Sequence, residues 1–204
     1  MPKMKRYRLI LKEDATPIID KKKMLLTSTG FDNWKFARIV KRMLEYKKPL
    51  YLCNVLFIPT ADRKEESIDA CLKEIMAMGI PKYKIFFNYC NIKRLERVKY
   101  DMIYVTGGDE NYLMDVLNQT GFKHLLLKMI NNGVLYVGVS AGSYICGNKV
   151  DRPNQSLGLF DYIIEPHQNE NNHPNGKINP VNGIVNLSDT QAILVNNGKV
   201  RVIG

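Results

Sequence analysis

A chain of 204 residues, 45% hydrophobic and 25% charged, has the length and composition of one packed globular domain. No apolar run approaches the roughly 20 residues that cross a bilayer, and the basic start carries acids without a long apolar core, which argues against a membrane anchor or a secretory leader. A net charge of +10 invites nucleic acid as a partner, but the excess is scattered over 21–23, 38–48 and 93–99 with no binding motif or aromatic stacking run beside it, so a solvated basic surface is expected instead.

Residues 1–20 read as an N-terminal extension, with RYRLILKE either an extra strand or disordered, and residues 21–204 as a single domain. KMLLTSTG (23–30) is a first strand ending in a Ser/Thr/Gly turn. NWKFARIVKRMLEYKK (33–48) follows as a helix with Phe36, Ala37, Val40, Met43 and Leu44 on one face. NVLFIPT (54–60) is a strand stopped by Pro59, and EESIDACLKEIMAMG (65–79) a helix with Gly79 as its stop. YKIFFNY (83–89) and DMIYVTGG (101–108) are the next strands. ENYLMDVLNQ and GFKHLLLKMINNG (121–133) read as helices, and VLYVGV (134–139) as a further strand. Beyond residue 150 the text turns rich in Asn, Pro and Gly, with long loops around one strand, FDYIIE. DTQAILVNNGKVRVIG closes the chain as a hairpin turning at Asn197-Gly198.

Uniformly apolar strands separated by helices imply a mainly parallel sheet covered on both faces, an α/β fold in three α/β/α layers. Ligands of such sheets sit at the carboxyl ends of the strands. Three loops therefore compete for the site: 27–33, 106–111 and 138–143.

The last of them holds Gly138-Val139-Ser140-Ala141-Gly142, a G-x-S-x-G stretch directly after a buried strand. In that context the turn lifts a serine hydroxyl above the sheet edge, although the same letters also occur in plain tight turns. A serine needs a base, and His167 follows Pro166 at the end of the FDYIIE strand, the edge where Ser140 emerges. His173, in an Asn-rich loop, reads as exposed and stands second. The Ala141 amide and the Gly107-Gly108 turn are candidate oxyanion donors, while Asp109 and Glu110 beside that turn speak against a phosphate cradle. Cys53, Cys71, Cys90 and Cys146 form no C-x-x-C pair and no metal spacing with the three histidines, so reduced thiols and no metal are expected.

VTGGDENYLM, GVLYVGVSAGS and LGLFDYIIEPH, in that order over residues 101–167, resemble the dipeptidase E and cyanophycinase-like serine peptidases. The resemblance implies an α/β/α fold related to class I glutamine amidotransferases and a cytoplasmic serine peptidase. Its nucleophile would be Ser140, its base His167 and its oxyanion donors Gly108 and Ala141, and it would act on small peptides without a cofactor. The family's orienting acid lies between nucleophile and base, where Asp151 is the choice here; Asp151-Arg152 equally reads as a solvated turn, with Glu165, Glu170 or no carboxylate at all as alternatives. Gly107, Asp109 and Glu110 are the expected substrate contacts, one of the acids holding a free amine. A monomer or homodimer is expected. The alternatives are a pseudo-peptidase that only binds a ligand or partner, and an ester or amide hydrolase on the same elbow.

Overall fold

The computed structural model describes residues 21–88, 92–148, 155–169, 173 and 176–204. The N-terminal extension with RYRLILKE, and both Asp151 and Glu170, lie outside the described residues. In chain order the elements are β1 (Lys23–Thr27), α1 (Trp34–Glu45), β2 (Val55–Ile58), α2 (Glu65–Ala77), β3 (Ile85–Phe87), α3 (Ile92–Leu95), β4 (Met102–Val105), α4 (Glu110–Gln119), α5 (Phe122–Asn131), β5 (Leu135–Val139), α6 (Ala141–Tyr144), β6 (Ile163–Glu165), β7 (Ile184–Asn186), β8 (Ala192–Asn196) and β9 (Lys199–Ile203).

The main sheet runs β3-β2-β4-β5-β1-β8-β9. Its first five strands are parallel, and β8 and β9 are antiparallel additions. The apolar strands show why two helical layers form. Leu25, Val55, Phe57, Tyr104, Leu135 and Val137 face Phe36, Val40 and Leu44 of α1 and Ile75 of α2. Their neighbours Met24, Leu26, Leu56, Ile58, Ile103 and Tyr136 face Leu113 and Leu117 of α4 and Leu126 and Ile130 of α5. Successive strand residues point to opposite faces, so a strand apolar at every position demands cover on both.

Register carries the fold to the site. Thr27 pairs with Val139 and Val105 with Gly138, so β1, β4 and β5 end together. Thr27 also pairs with Ala192, the first residue of antiparallel β8, so β8 begins at the edge where the parallel strands finish. Whatever immediately precedes β8 is thereby delivered to the carboxyl edge.

Three local expectations change. The FDYIIE strand is only Ile163–Glu165, and it pairs in parallel with β7 in a separate two-stranded sheet. The β7 segment carries too few apolar residues amid Asn, Pro and Gly to announce itself. The strand expected over 83–89 is shortened to β3, because Lys82–Lys84 after Pro81 form a 3₁₀ turn. The terminal hairpin is present, with Asn197 at φ 51° and Gly198 at φ 71°, the left-handed pair a two-residue type I′ loop requires.

Ile103, fully buried in central strand β4, touches the α4/α5 layer. Ile103→Ala is expected to lower unfolding free energy by about 2–5 kcal/mol, read as a reduced urea midpoint at unchanged m-value.

Candidate active site

Strand β5 is buried at all five positions, and the chain leaves it through Ser140 at φ 46°, ψ −105°. This conformation is rare for a residue with a Cβ and costs on the order of 1–3 kcal/mol unless its surroundings enforce it. They do so by close approach. A Cβ at Gly138 would stand 2.5 Å from the Gly142 carbonyl oxygen, and one at Gly142 would stand 2.6 Å from that of Val105. The two glycines of G-x-S-x-G are therefore packing requirements: they let the turn fold back on its own strand and on β4.

Hydrogen bonds lock the turn. The Ser140 amide donates to the Thr27 carbonyl at 2.9 Å. The Ser143 hydroxyl, fully buried, lies 2.7 Å from the Thr27 carbonyl oxygen and 2.8 Å from that of Gly138. Tyr136 donates its hydroxyl to the Gly142 carbonyl at 2.6 Å.

His167 follows β6 and Pro166, itself at φ 61°. Its Nε2 is 3.0 Å from Ser140 Oγ, and its Nδ1 is 2.7 Å from Asp189 Oδ1. A carboxylate only accepts, so Nδ1 carries the proton and donates to Asp189. Nε2 then presents its lone pair to the serine hydroxyl. The imidazole and carboxylate are about half exposed, at 51% and 61%, so the ordering of the imidazole rests on geometry more than on a strong ion pair.

Asp189 is the residue that reading the sequence missed. The carboxylates expected from the sequence, Asp151, Glu165 and Glu170, all lie near His167 in the chain or between it and Ser140. A usable signal existed: Ser188-Asp189-Thr190 is a turn directly before the apolar AILVN strand. Its relevance depends on β8 running antiparallel, which the letters do not state.

The Gly107-Gly108 turn stands against Ser140, since a Cβ at Gly107 would begin 3.2 Å from the Ser140 Cβ. Gly108 has φ 128°, and a side chain there would collide with the Ala61 carbonyl. Asp109 caps α4: its Oδ1 accepts from the Asn111 amide at 3.0 Å and the Tyr112 amide at 2.9 Å. That oxygen serves the helix. Glu110, by contrast, lines a cavity of about 240 Å³ together with Ser140, Ala141, Tyr144, Glu165, Pro166, His167 and Gln168. A larger cavity of about 770 Å³ lies over the ends of β2 and β3, lined by Thr60, Arg63 and Tyr112, away from Ser140.

His173, the second candidate base, is engaged by the surrounding backbone, and Cys146 is a buried thiol. His173 is buried rather than exposed; its Nδ1 accepts from the Asn179 amide at 3.2 Å, and its Nε2 faces the Asn186 carbonyl at 2.8 Å. Cys146 is fully buried with its thiol 3.3 Å from the Gly142 carbonyl oxygen, and burial pushes its pKa up to about 12. No group of three or more His, Cys, Asp and Glu able to hold a metal occurs among the described residues. No helix there is long and apolar enough to cross a membrane.

The family model for peptidase family S51 matches residues 24–203. The uncharacterized peptidase Lin0382 of Listeria innocua is 31% identical over 167 residues, covering 72% of this chain and 77% of that protein. Peptidase E of Streptomyces coelicolor is 30% identical over 125 residues, covering 56% and 51% respectively. Among solved structures, a peptidase from an acI-B1 Actinobacterium superposes with a TM-score of 0.65 at 20% identity, covering 90% of this chain and 87% of that one. A Listeria monocytogenes protein provisionally assigned to peptidase E superposes with a TM-score of 0.68 at 24% identity, covering 89% and 98%. At these identities the superpositions speak for the fold.

With its pKa near 12, Cys146 is almost wholly protonated at pH 8, and only the thiolate reacts quickly. A native sample treated with a disulfide reagent at pH 8 is expected to leave Cys146 unmodified, as read by peptide mass spectrometry. Unfolding in guanidinium should expose it to full modification.

Proposed function

The chain belongs to peptidase family S51 and is a hydrolase of the peptidase class, and from that premise we propose that it cleaves small peptides through a serine acyl-enzyme. The observation that carries this reading is the continuous chain Ser140 Oγ, His167 Nε2, His167 Nδ1 and Asp189 Oδ1, at 3.0 and 2.7 Å. His167 takes the Ser140 proton as the hydroxyl attacks the peptide carbonyl, and Asp189 steadies the imidazolium. The amides assigned to the oxyanion are those of Ala141, the next residue in sequence, and of Gly108, which follows the Gly107 that packs against Ser140. His167 then returns the proton to the leaving amine, and water attacks the ester by the same route.

An assembled nucleophile, base and carboxylate weighs against a protein that only binds a ligand, for which no such alignment is needed. Asp189 replaces Asp151 in this proposal, since it already occupies the hydrogen bond an orienting acid makes.

The cavity supports small substrates. About 240 Å³ holds one or two residues rather than a folded chain. Its lining carries Glu110 and Glu165 and, among the described residues, no Lys or Arg, although the whole chain has a net charge of +10. A substrate's free α-amine meets a favourable field there. With Asp109 Oδ1 engaged in capping, Glu110 is the acid assigned to that amine.

Fluorophosphonate labelling should give a single adduct on Ser140. Ser140→Ala is expected to lower kcat by about 10⁴-fold or more, and Asp189→Asn by up to about 10⁴-fold, both near-neutral for KM. Wild-type activity in Ser140→Ala would end this assignment. Acetylating the amine of a dipeptide substrate should raise KM, and Glu110→Gln should shrink the free-to-acetylated ratio by roughly five-fold. An unchanged ratio would remove Glu110 from amine binding.

A further inference from the structure

The turn leaving β1 is not part of the nucleophile, base or acid, yet it touches the backbone of the last two. Ser28 is 1% exposed. Its Oγ accepts from the His167 amide at 3.1 Å and lies 3.2 Å from the carbonyl oxygens of Leu187 and Ser188. The hydroxyl has one proton, which serves those two carbonyls, while its lone pair takes the His167 N–H. Next to it, Thr29 donates its hydroxyl to the Asp189 carbonyl at 3.1 Å.

The two segments so gripped are also tied to each other. The Leu187 amide donates to the Glu165 carbonyl at 2.8 Å, and the Gln168 amide to that of Leu187 at 3.0 Å. The strand exits carrying His167 and Asp189 thus form one unit, belonging to the small β6/β7 sheet and the approach to β8. Ser140 belongs to the main sheet, and its amide is bound to Thr27, the residue before Ser28. Thr27-Ser28-Thr29 is consequently a segment at which the frame of Ser140 and the frame of His167 and Asp189 are joined by hydrogen bonds, beside the bonds that tie α6 to the approach to β6.

We propose that Ser28 is a positioning residue for catalysis: its buried hydroxyl sets where the His167 backbone stands relative to Ser140, and Thr29 does the same for Asp189 with a weaker, more exposed bond. This assignment rests on the serine peptidase reading above. His167 needs such a peg because its backbone is left-handed, at φ 61°, with its ring about half exposed. Packing around the ring is therefore incomplete, and the main-chain amide is the point by which the residue can be held. Removing the Ser28 hydroxyl takes the acceptor from the His167 N–H, while the Leu187 and Ser188 carbonyls lose one of two donors and keep the Gln168 and Gln191 amides. A misplacement of about an ångström in a reacting group is enough to cost on the order of 100-fold in rate.

The test is the rate of Ser140 phosphonylation by a fluorophosphonate, with kcat and KM for a dipeptide, in full-length protein. Ser28→Ala is expected to slow labelling and kcat about 10- to 100-fold at unchanged KM. In a His167→Ala background, the same Ser28→Ala change should have no further effect on labelling, because the residue acts through the base. Thr29→Val should lose several-fold, with Thr29→Ser recovering most of it; this pair carries the test if Ser28→Ala does not fold. Parental labelling rates in Ser28→Ala, or an equal slowing with and without His167, would overturn the positioning role and leave the peptidase reading standing. If wild-type protein gives no Ser140 adduct, the peptidase reading falls and the proposal with it.

Discussion

The active edge depends on one strained residue. Ser140 holds φ 46°, ψ −105°, a state that a free chain would leave at once. It persists because β5 enters the turn fully buried between β4 and β1, and because the turn packs back where no Cβ fits, at Gly138 and Gly142. The Ser143 hydroxyl, bridging the carbonyls of Thr27 and Gly138, ties the first turn of α6 to both strands. Strain at Ser140 is thus offset by ordinary core packing several residues away.

The same edge gathers its other groups by sheet direction. Parallel β1, β4 and β5 end together and present Ser28, Gly107 and Ser140. Antiparallel β8 begins there and presents Asp189, and the separate β6/β7 pair presents His167. Each group arrives on a different strand end. Hydroxyls do much of the joining: Thr27 Oγ1 accepts the Gly30 amide at 2.9 Å, Ser28 takes that of His167, and Thr29 reaches Asp189. On the far side of the β1–α1 turn, Glu74 accepts from the Phe31 amide at 3.2 Å and from Tyr104 Oη at 3.1 Å. Burial pushes that carboxyl above its ordinary pKa. The turn is held from both faces.

Much of this was legible in the residues. Apolar runs at residues 23–27, 55–58, 102–105 and 135–139 announced parallel strands, because a strand buried on both faces has no polar positions to spare. The tight turn at Ser140 was legible because its close approach needs glycine at both flanks, and the G-x-S-x-G pattern writes that need into five letters. His167 was placed by its position after an apolar run and Pro166. The family model for peptidase family S51 matches residues 24–203, a span that holds all of these segments.

Other features were not legible, for reasons of physics rather than of effort. The short strand β7 carries too little apolar signal, because it pairs in a two-stranded ribbon at the margin of the core. His173 looked exposed among its asparagines, yet it is buried by contacts with Asn186 and Asn179, which only folding brings near. Asp109 looked free for a substrate, and the capping geometry engages one of its oxygens. Local composition, periodicity and glycine placement determined the layers and the elbow, since these follow from burial and backbone sterics within a few residues. The pairing of His167 with Asp189, and the grip of Ser28 on both segments, were decided only by tertiary structure, because they depend on β8 running antiparallel to β1 across more than 150 residues of intervening chain.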